Sequence, residues 1–434
     1  MQTIDWKQDH ILYIANEIHE ISDKPNEKQL RNVIEPWLTA VFQSEHLSLL
    51  TGTGLTTGIC YEAEVTPQAM GRIDFNTYTE EIHKNADSAA ENLSRGTANF
   101  EDDLRTAIEL LKGLKILKDL KADELESEIN NQLKSLVTNL RDNEKRVLVA
   151  VDKGTEALAL LRRFLISFSS RTATRDRLHI FTTNYDRFIE YALDEAGIYT
   201  LDRFIGKLDP TLRMHKMELD FHYNPPGIRG EPRYVEGVIR YTKLHGSLDW
   251  RFKNGEIHKI PMPFGSEPME GNPDKPYDTV VIYPNSSKGI DTAYFPYSEL
   301  FRDFSTAICR PNSVLVTYGY GFGDSHINAI IRDMLTIPST HLVIISFDKA
   351  GDKPADKNDG IRSPGRIEKF VNNCNASQLT LLIGNHFGHI KTLTENYLPK
   401  SAIDRISDRR QKIEEKRNIE NKKNMDIKLE GNDV

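Results

Sequence analysis

A chain of 434 residues with 56 Lys and Arg against 64 Asp and Glu has a formal net charge of −8, which argues against a surface built to neutralise nucleic-acid phosphates. Its 38% hydrophobic and 28% charged residues are those of a soluble globular protein, one large domain or two to three smaller ones, and exclude collagen-like, membrane and wholly disordered classes. The three cysteines, Cys60, Cys309 and Cys374, are too widely spaced for a CxxC zinc pair; they are read as reduced thiols, and no metal is predicted.

The opening Met1-Gln2-Thr3-Ile4-Asp5-Trp6 lacks the basic and apolar parts of a signal peptide, and no apolar run reaches bilayer length, so the expected location is the cytoplasm. Ile11, Ile14, Ile18 and Ile21 recur at helical spacing, which predicts a largely helical segment over 10–43. His46 to Leu50 is an apolar run entering Thr51-Gly52-Thr53-Gly54, a strand and a tight loop. From about 86 to 170, Leu104, Ile108, Leu111 and Leu114, then Leu125, Ile129, Leu133, Leu136 and Leu140, mark long helices. Strand-like runs return at Leu178–Phe181, Val235–Leu244, Val314–Thr317, Leu342–Phe347 and Leu379–Ile383, several alternating with helical stretches.

This alternation predicts an α/β fold, a Rossmann-like, mostly parallel sheet with helices on both faces, plus an inserted helical subdomain. The expected division is 1–85 for the N-terminal helix and first part of the sheet domain, 86–170 for the insert, 171–400 for the rest, and 401–434 for a charged tail. Residues 206–234 and 253–290, rich in Pro, Gly and Asn, are expected to be irregular connections able to cover a pocket.

Ligands of such sheets bind beyond the carboxyl ends of the strands, where four segments carry candidate chemistry. Gly52-Thr53-Gly54 permits close backbone approach to a phosphate, or is an ordinary turn; it matches neither the dinucleotide nor the Walker spacing. In Thr183-Asn184-Tyr185-Asp186, Asn184 can both donate to and accept from a ribose hydroxyl or a water, or serve the turn, and Asp186 fits the N-cap of a helix starting near Arg187. His245, after Lys243-Leu244, is either a general base or a structural histidine. Gly319, Gly321, Phe322 and Gly323 lead into Asp324, the expected cap of the next helix, and Asp348 is either an acceptor for a ribose hydroxyl or a loop carboxylate.

The early glycine loop, Thr-Thr-Asn-Tyr-Asp, Lys-Leu-His-Gly-Ser-Leu-Asp-Trp and Gly-Tyr-Gly-Phe-Gly-Asp-Ser-His-Ile-Asn occur in an order that resembles the sirtuin-like family, in particular its bacterial NAD hydrolases of antiphage defence. The resemblance covers roughly 45–75 and 175–390. It implies NAD as substrate, Asn184 and Thr183 at the nicotinamide ribose with Asp186 in support, and His245 as catalytic base. Gly52, Thr53 and Gly54 would then hold the diphosphate, and Gly319, Gly321 and Phe322 the adenosine half. It further implies hydrolysis to nicotinamide and ADP-ribose, a homo-oligomer, and a HerA-type ATPase partner. Two departures, the missing four-cysteine zinc module and Cys60-Tyr61-Glu62 in place of the usual Pro-Asp-Phe-Arg, point away from acyl-lysine recognition. A NAD-dependent deacylase and a non-catalytic NAD or ADP-ribose sensor are the alternative readings.

Overall fold

The computed structural model describes residues 4–21, 25–68, 71–92, 98–172, 174–214, 220–223, 233–268, 276, 280–282, 296–351 and 364–400. In chain order its strands are β1 (Ile11–Ile14), β2 (Glu17–His19), β3 (His46–Thr51), β4 (His179–Thr182), β5 (Tyr199–Leu201), β6 (Phe204–Ile205), β7 (Thr211–Leu212) and β8 (His222–Tyr223). They continue as β9 (Arg233–Tyr234), β10 (Val238–Lys243), β11 (Gly246–Lys253), β12 (Glu256–Lys259), β13 (Val280–Ile282), β14 (Ser313–Tyr318), β15 (His341–Ser346) and β16 (Leu379–Ile383).

The aliphatic runs of β3, β4, β14, β15 and β16 are buried on both faces, the pattern of parallel strands sandwiched between helices. They build a nine-stranded sheet in the order β2-β1-β16-β15-β14-β3-β4-β10-β5, parallel from β16 to β5 with the antiparallel hairpin β1–β2 at one edge. Leu49, Ile180, Val316 and Val343 face one core cluster, and Leu50, Phe181, Leu315 and Ile344 face the other. The expected α/β class, mostly parallel with helices on both faces, is the class observed.

The helix expected over 10–43 spans only Glu27–Phe42 (α1), capped by Asn26. Residues before it form the β1–β2 hairpin because Ala15 and Asn16, at φ 53° and 68°, make the two-residue left-handed turn that suits a hairpin's twist. Leu12 and Ile14 pack on one face of β1 and Ile11 and Tyr13 on the other, so no alternation betrays the strand. A second, antiparallel sheet, β13-β11-β12-β7-β6, was not expected, and its longest strand contains Gly246-Ser247-Leu248-Asp249-Trp250. The connections 206–234 and 253–290 are not irregular throughout, since their described residues include β7, β8, β9, β12 and β13. The covering role expected of 215–219, 224–232, 269–275, 277–279 and 283–290 lies outside the described residues, as does the tail 401–434.

Helices α2 (Thr53–Glu62), α3 (Thr79–Asn92), α4 (Phe100–Leu117), α5 (Ala122–Val149) and α6 (Val151–Ser169) fill the stretch between β3 and β4, and α7 (Phe188–Glu195) follows β4. Leu160, Leu161, Phe164, Leu165 and Phe168 of α6 join the core on one sheet face. The apolar faces of α3, α4 and α5 form a separate cluster with Ile82, Leu104, Leu111, Leu125 and Leu133, which also takes in Tyr185 and Leu248 from the strand ends. That shared packing sets the helical layer over the carboxyl ends of the sheet.

Candidate active site

β3 connects onward to β4 on one side of it and β14 to β15 on the other, so the crevice between β3 and β14 is the topological switch point where such sheets bind ligands. The two loops leaving these strands touch backbone to backbone: Gly52 N donates to Tyr318 O at 3.2 Å and Gly54 N to Gly319 O at 3.0 Å. A Cβ on Gly54 would lie 2.6 Å from the Gly319 Cα, and Gly319 itself has φ +61°. Gly54 and Gly319 are therefore required by this crossing. Gly52 begins α2 with no side-chain cap, turning the expected loop directly into a helix N-terminus.

The loop after β4 is tied down from beneath. Lys243, buried at the end of β10, donates through Nζ to the carbonyls of Tyr185 (3.3 Å) and Asp186 and pairs with Glu190 Oε1 at 2.9 Å. Arg187 forms a buried ion pair with Glu144 of α5 at 2.6 Å, and the same carboxylate accepts from Arg187 N and Gly265 N, fastening the helical layer to this loop. Helix α7 starts at Phe188 with Arg187 in the cap position, so Asp186, the expected N-cap, stands one residue before the observed one; its Oδ1 accepts from Phe188 N at 3.4 Å.

These anchors leave Asn184, 5% exposed, with a fixed orientation. Its Nδ2 donates to Gly52 O and to Thr56 Oγ1, both at 3.0 Å, while Thr56 Oγ1 donates to Asp186 Oδ2 at 2.6 Å. With the amide nitrogen committed to these two acceptors, Asn184 Oδ1 remains buried with no hydrogen-bond partner among the described residues. Burial raises the pKa of Asp186, opposed by the Lys243 charge and the Thr56 hydrogen bond. Asp249 behaves oppositely: burial would raise it, but Lys259, Lys243 and the Ser247 hydrogen bond hold it below the usual carboxylate range.

His245 Nε2 lies 3.0 Å from Asp324 Oδ2, both residues buried. Asp324 is the expected N-cap of the helix Ser325–Leu335, its Oδ1 accepting from His326 N and Ile327 N. Beside His245, the Tyr185 ring reaches Glu101 Oε1 with its hydroxyl at 2.9 Å.

A cavity of about 490 Å³ joins these groups. It brings together the expected Gly52, Thr53, Thr183, Asn184, Asp186, His245 and Gly321. Gly54 and Gly319 lie behind its lining at the loop crossing. Phe322, at φ 51°, is buried against Tyr320 and Phe370, and Asp348 turns away to accept from Ala350 N at 2.7 Å; neither lines the cavity. For Asp348 the loop-carboxylate reading is the one the geometry favours.

Sequence reasoning missed Gln68, Glu101, Asn143 and Arg366, all on the lining. Arg366 donates through Nε to Gly321 O at 2.8 Å and so lies along the glycine turn. Glu101 had a readable signal: Asn99 and Asp102 form a capping box that starts α4, and Glu101 lies between them. Among the described residues no cluster of three or more His, Cys, Asp or Glu side chains is arranged for a metal, and no helix is long and apolar enough to cross a membrane.

The family pattern described as a SIR2-like domain matches residues 178–366, which span β4, β10, β14 and β15 with Asn184, His245 and Asp324. Among solved structures, one of Sir2 with deacetylated p53 peptide and 3′-O-acetyl ADP-ribose is 12% identical, with a TM-score of 0.29 over 83% of this chain and 95% of its own. No curated protein matches the chain.

Proposed function

We propose that this cavity binds NAD as substrate and hydrolyses the bond between nicotinamide and ribose. The observation that carries the reading is Asn184 Oδ1, a buried acceptor with no partner among the described residues, on the wall of a cavity sized for a small ligand, which a ribose hydroxyl would satisfy. The SIR2-like match over 178–366 supports a NAD-using site at the same residues. The N-terminus of α2, capped by no side chain, and Arg366 along the glycine turn are suited to the diphosphate.

In the proposed reaction the C1′–N1 bond breaks and its electron pair goes to the nicotinamide nitrogen, neutralising the pyridinium. Departure therefore needs little acid catalysis, and the site's work is to orient the ribose and stabilise an oxocarbenium-like transition state. A water oxygen bonds to C1′, and its proton passes to His245, which Asp324 orients. The products are nicotinamide, ADP-ribose and one proton.

Unrestrained loss of NAD is lethal to a cell, so such an activity calls for control by assembly. The setting we propose is cytoplasmic antiphage defence, with the chain as a homo-oligomer held on a HerA-type ATPase. The test follows NAD and nicotinamide by chromatography, with and without that ATPase, for wild type, Asn184→Ala and His245→Ala. Loss of nicotinamide release in both folded variants is expected; turnover at the wild-type rate in both would refute the mechanism.

A further inference from the structure

We infer that Glu101, from the helical layer, is the carboxylate that faces the cationic nicotinamide-ribosyl end of the substrate, held in place by Tyr185. The inference rests on the NAD reading above and adds a catalytic residue outside the SIR2-like match.

Among the described residues three carboxylates line the cavity: Glu101, Asp186 and Asp324. Two of them are engaged by neighbouring groups. Asp186 accepts from Thr56 and sits in the field of Lys243, and Asp324 binds His245 and caps a helix. Glu101 is different: its side chain accepts the Tyr185 hydroxyl at 2.9 Å, and none of the ion pairs among the described residues includes it. A carboxylate on a cavity wall without a cation is costly next to a phosphate and favourable next to a positive charge.

Among the described residues on the lining the guanidinium is that of Arg366, on the glycine turn, whereas Glu101 stands at the start of α4 beside the Tyr185 ring, which neighbours His245. NAD has the matching polarity, a cationic pyridinium at one end and two phosphates in the middle. As the C1′–N1 bond breaks, the positive charge moves from the ring to the ribose, and a carboxylate fixed beside that path stabilises it there, as in glycoside hydrolysis. Tyr185, buried against the helical layer, is the positioning residue for this carboxylate.

Glu101→Gln preserves an acceptor for the Tyr185 hydroxyl and removes only the charge. The test compares binding of NAD and of NADH, whose ring is uncharged, by titration calorimetry on the full chain, together with nicotinamide release. The wild type is expected to prefer NAD; in Glu101→Gln affinity for NAD falls about tenfold, affinity for NADH changes less than about twofold, and kcat drops on the order of a hundredfold. Tyr185→Phe should lose an intermediate factor, with thermal unfolding confirming that both variants fold.

Equal loss for NAD and NADH, a wild type without preference, or an unchanged preference in Glu101→Gln would each overturn the assignment. If Asn184→Ala abolishes turnover while Glu101→Gln does not, the NAD hydrolase reading stands and Glu101 falls. If nothing is hydrolysed, the binding comparison still decides the place of the cation.

Discussion

One carboxylate, Asp324, serves two masters: Oδ2 meets His245 Nε2 at 3.0 Å while Oδ1 accepts from the N–H groups of His326 and Ile327 at 3.1 and 3.3 Å. The start of the helix after β14 and the orientation of the imidazole after β10 are thereby set by the same side chain. A carboxylate accepting from Nε2–H selects the tautomer in which Nδ1 carries the lone pair, the nitrogen that would take the proton from water.

Asp324→Asn separates these roles. Asparagine caps helices about as well as aspartate, so thermal stability should change by less than about 1 kcal/mol. Its amide can present NH₂ to His245, which enforces the opposite tautomer, and kcat for nicotinamide release should fall by roughly 10² to 10⁴. Unfolding midpoints and single-turnover rates, measured side by side, check both halves; a stable variant with wild-type kcat would remove Asp324 from the mechanism.

The glycine crossing makes a prediction on stability alone. Gly54→Ala puts a Cβ 2.6 Å from the Gly319 Cα, where the nearest atoms are all Gly319 backbone and cannot yield, so a loss of about 2 kcal/mol or more is expected by denaturant titration. At Gly321 a Cβ would meet the Arg366 Nη2 at 3.3 Å, the flexible end of a side chain. Gly321→Ala should therefore fold normally and alter ligand affinity instead.

These contrasts show which parts of the site were legible in the sequence. Asn184 and His245 stand just past β4 and β10, and Asp324 closes the glycine turn after β14, where the end of each strand run marks the sheet's carboxyl edge. The β1–β2 hairpin was not legible, because its Ala15-Asn16 turn lacks the glycine that signals such turns and Ile11, Ile14 and Ile18 fit a helix equally well. Glu101 was legible as part of a helix start, through the Asn99–Asp102 capping box, but not as a site residue. Helical periodicity finds α4, but only tertiary links such as Arg187–Glu144 and Tyr185–Glu101 bring its first turn against the strand ends.

Lys243→Met tests the fastening of the Asn184 loop. The substitution fills similar volume but leaves Glu190 without its buried cation and two carbonyls without a donor, which should cost about 3 kcal/mol. Because the same loop carries Asn184, nicotinamide release should fall even under conditions where the variant remains folded. A stable and fully active Lys243→Met would mean that the loop holds its shape without the lysine.

Acid sensitivity should come first from histidines that fold in the neutral form. Burial lowers the His341 pKa from 6.5 to about 4, and its Nε2 lies 2.8 Å from Thr380 Oγ1, which already accepts from Trp37 Nε1 and so can give its own proton to the imidazole. Burial also lowers His179, stacked on Phe181 with Nε2 2.9 Å from Thr242 Oγ1. Between pH 6.5 and about 4 the unfolded chain binds the His341 proton and the folded chain does not, so stability is full above 6.5 and lost as the pH falls through that window. The contribution of His341 should reach at most about 3 kcal/mol by pH 4. Urea titrations at pH 7 and pH 4.5 should show a smaller difference for His341→Gln than for wild type, and an unchanged difference would place the acid-sensitive group elsewhere.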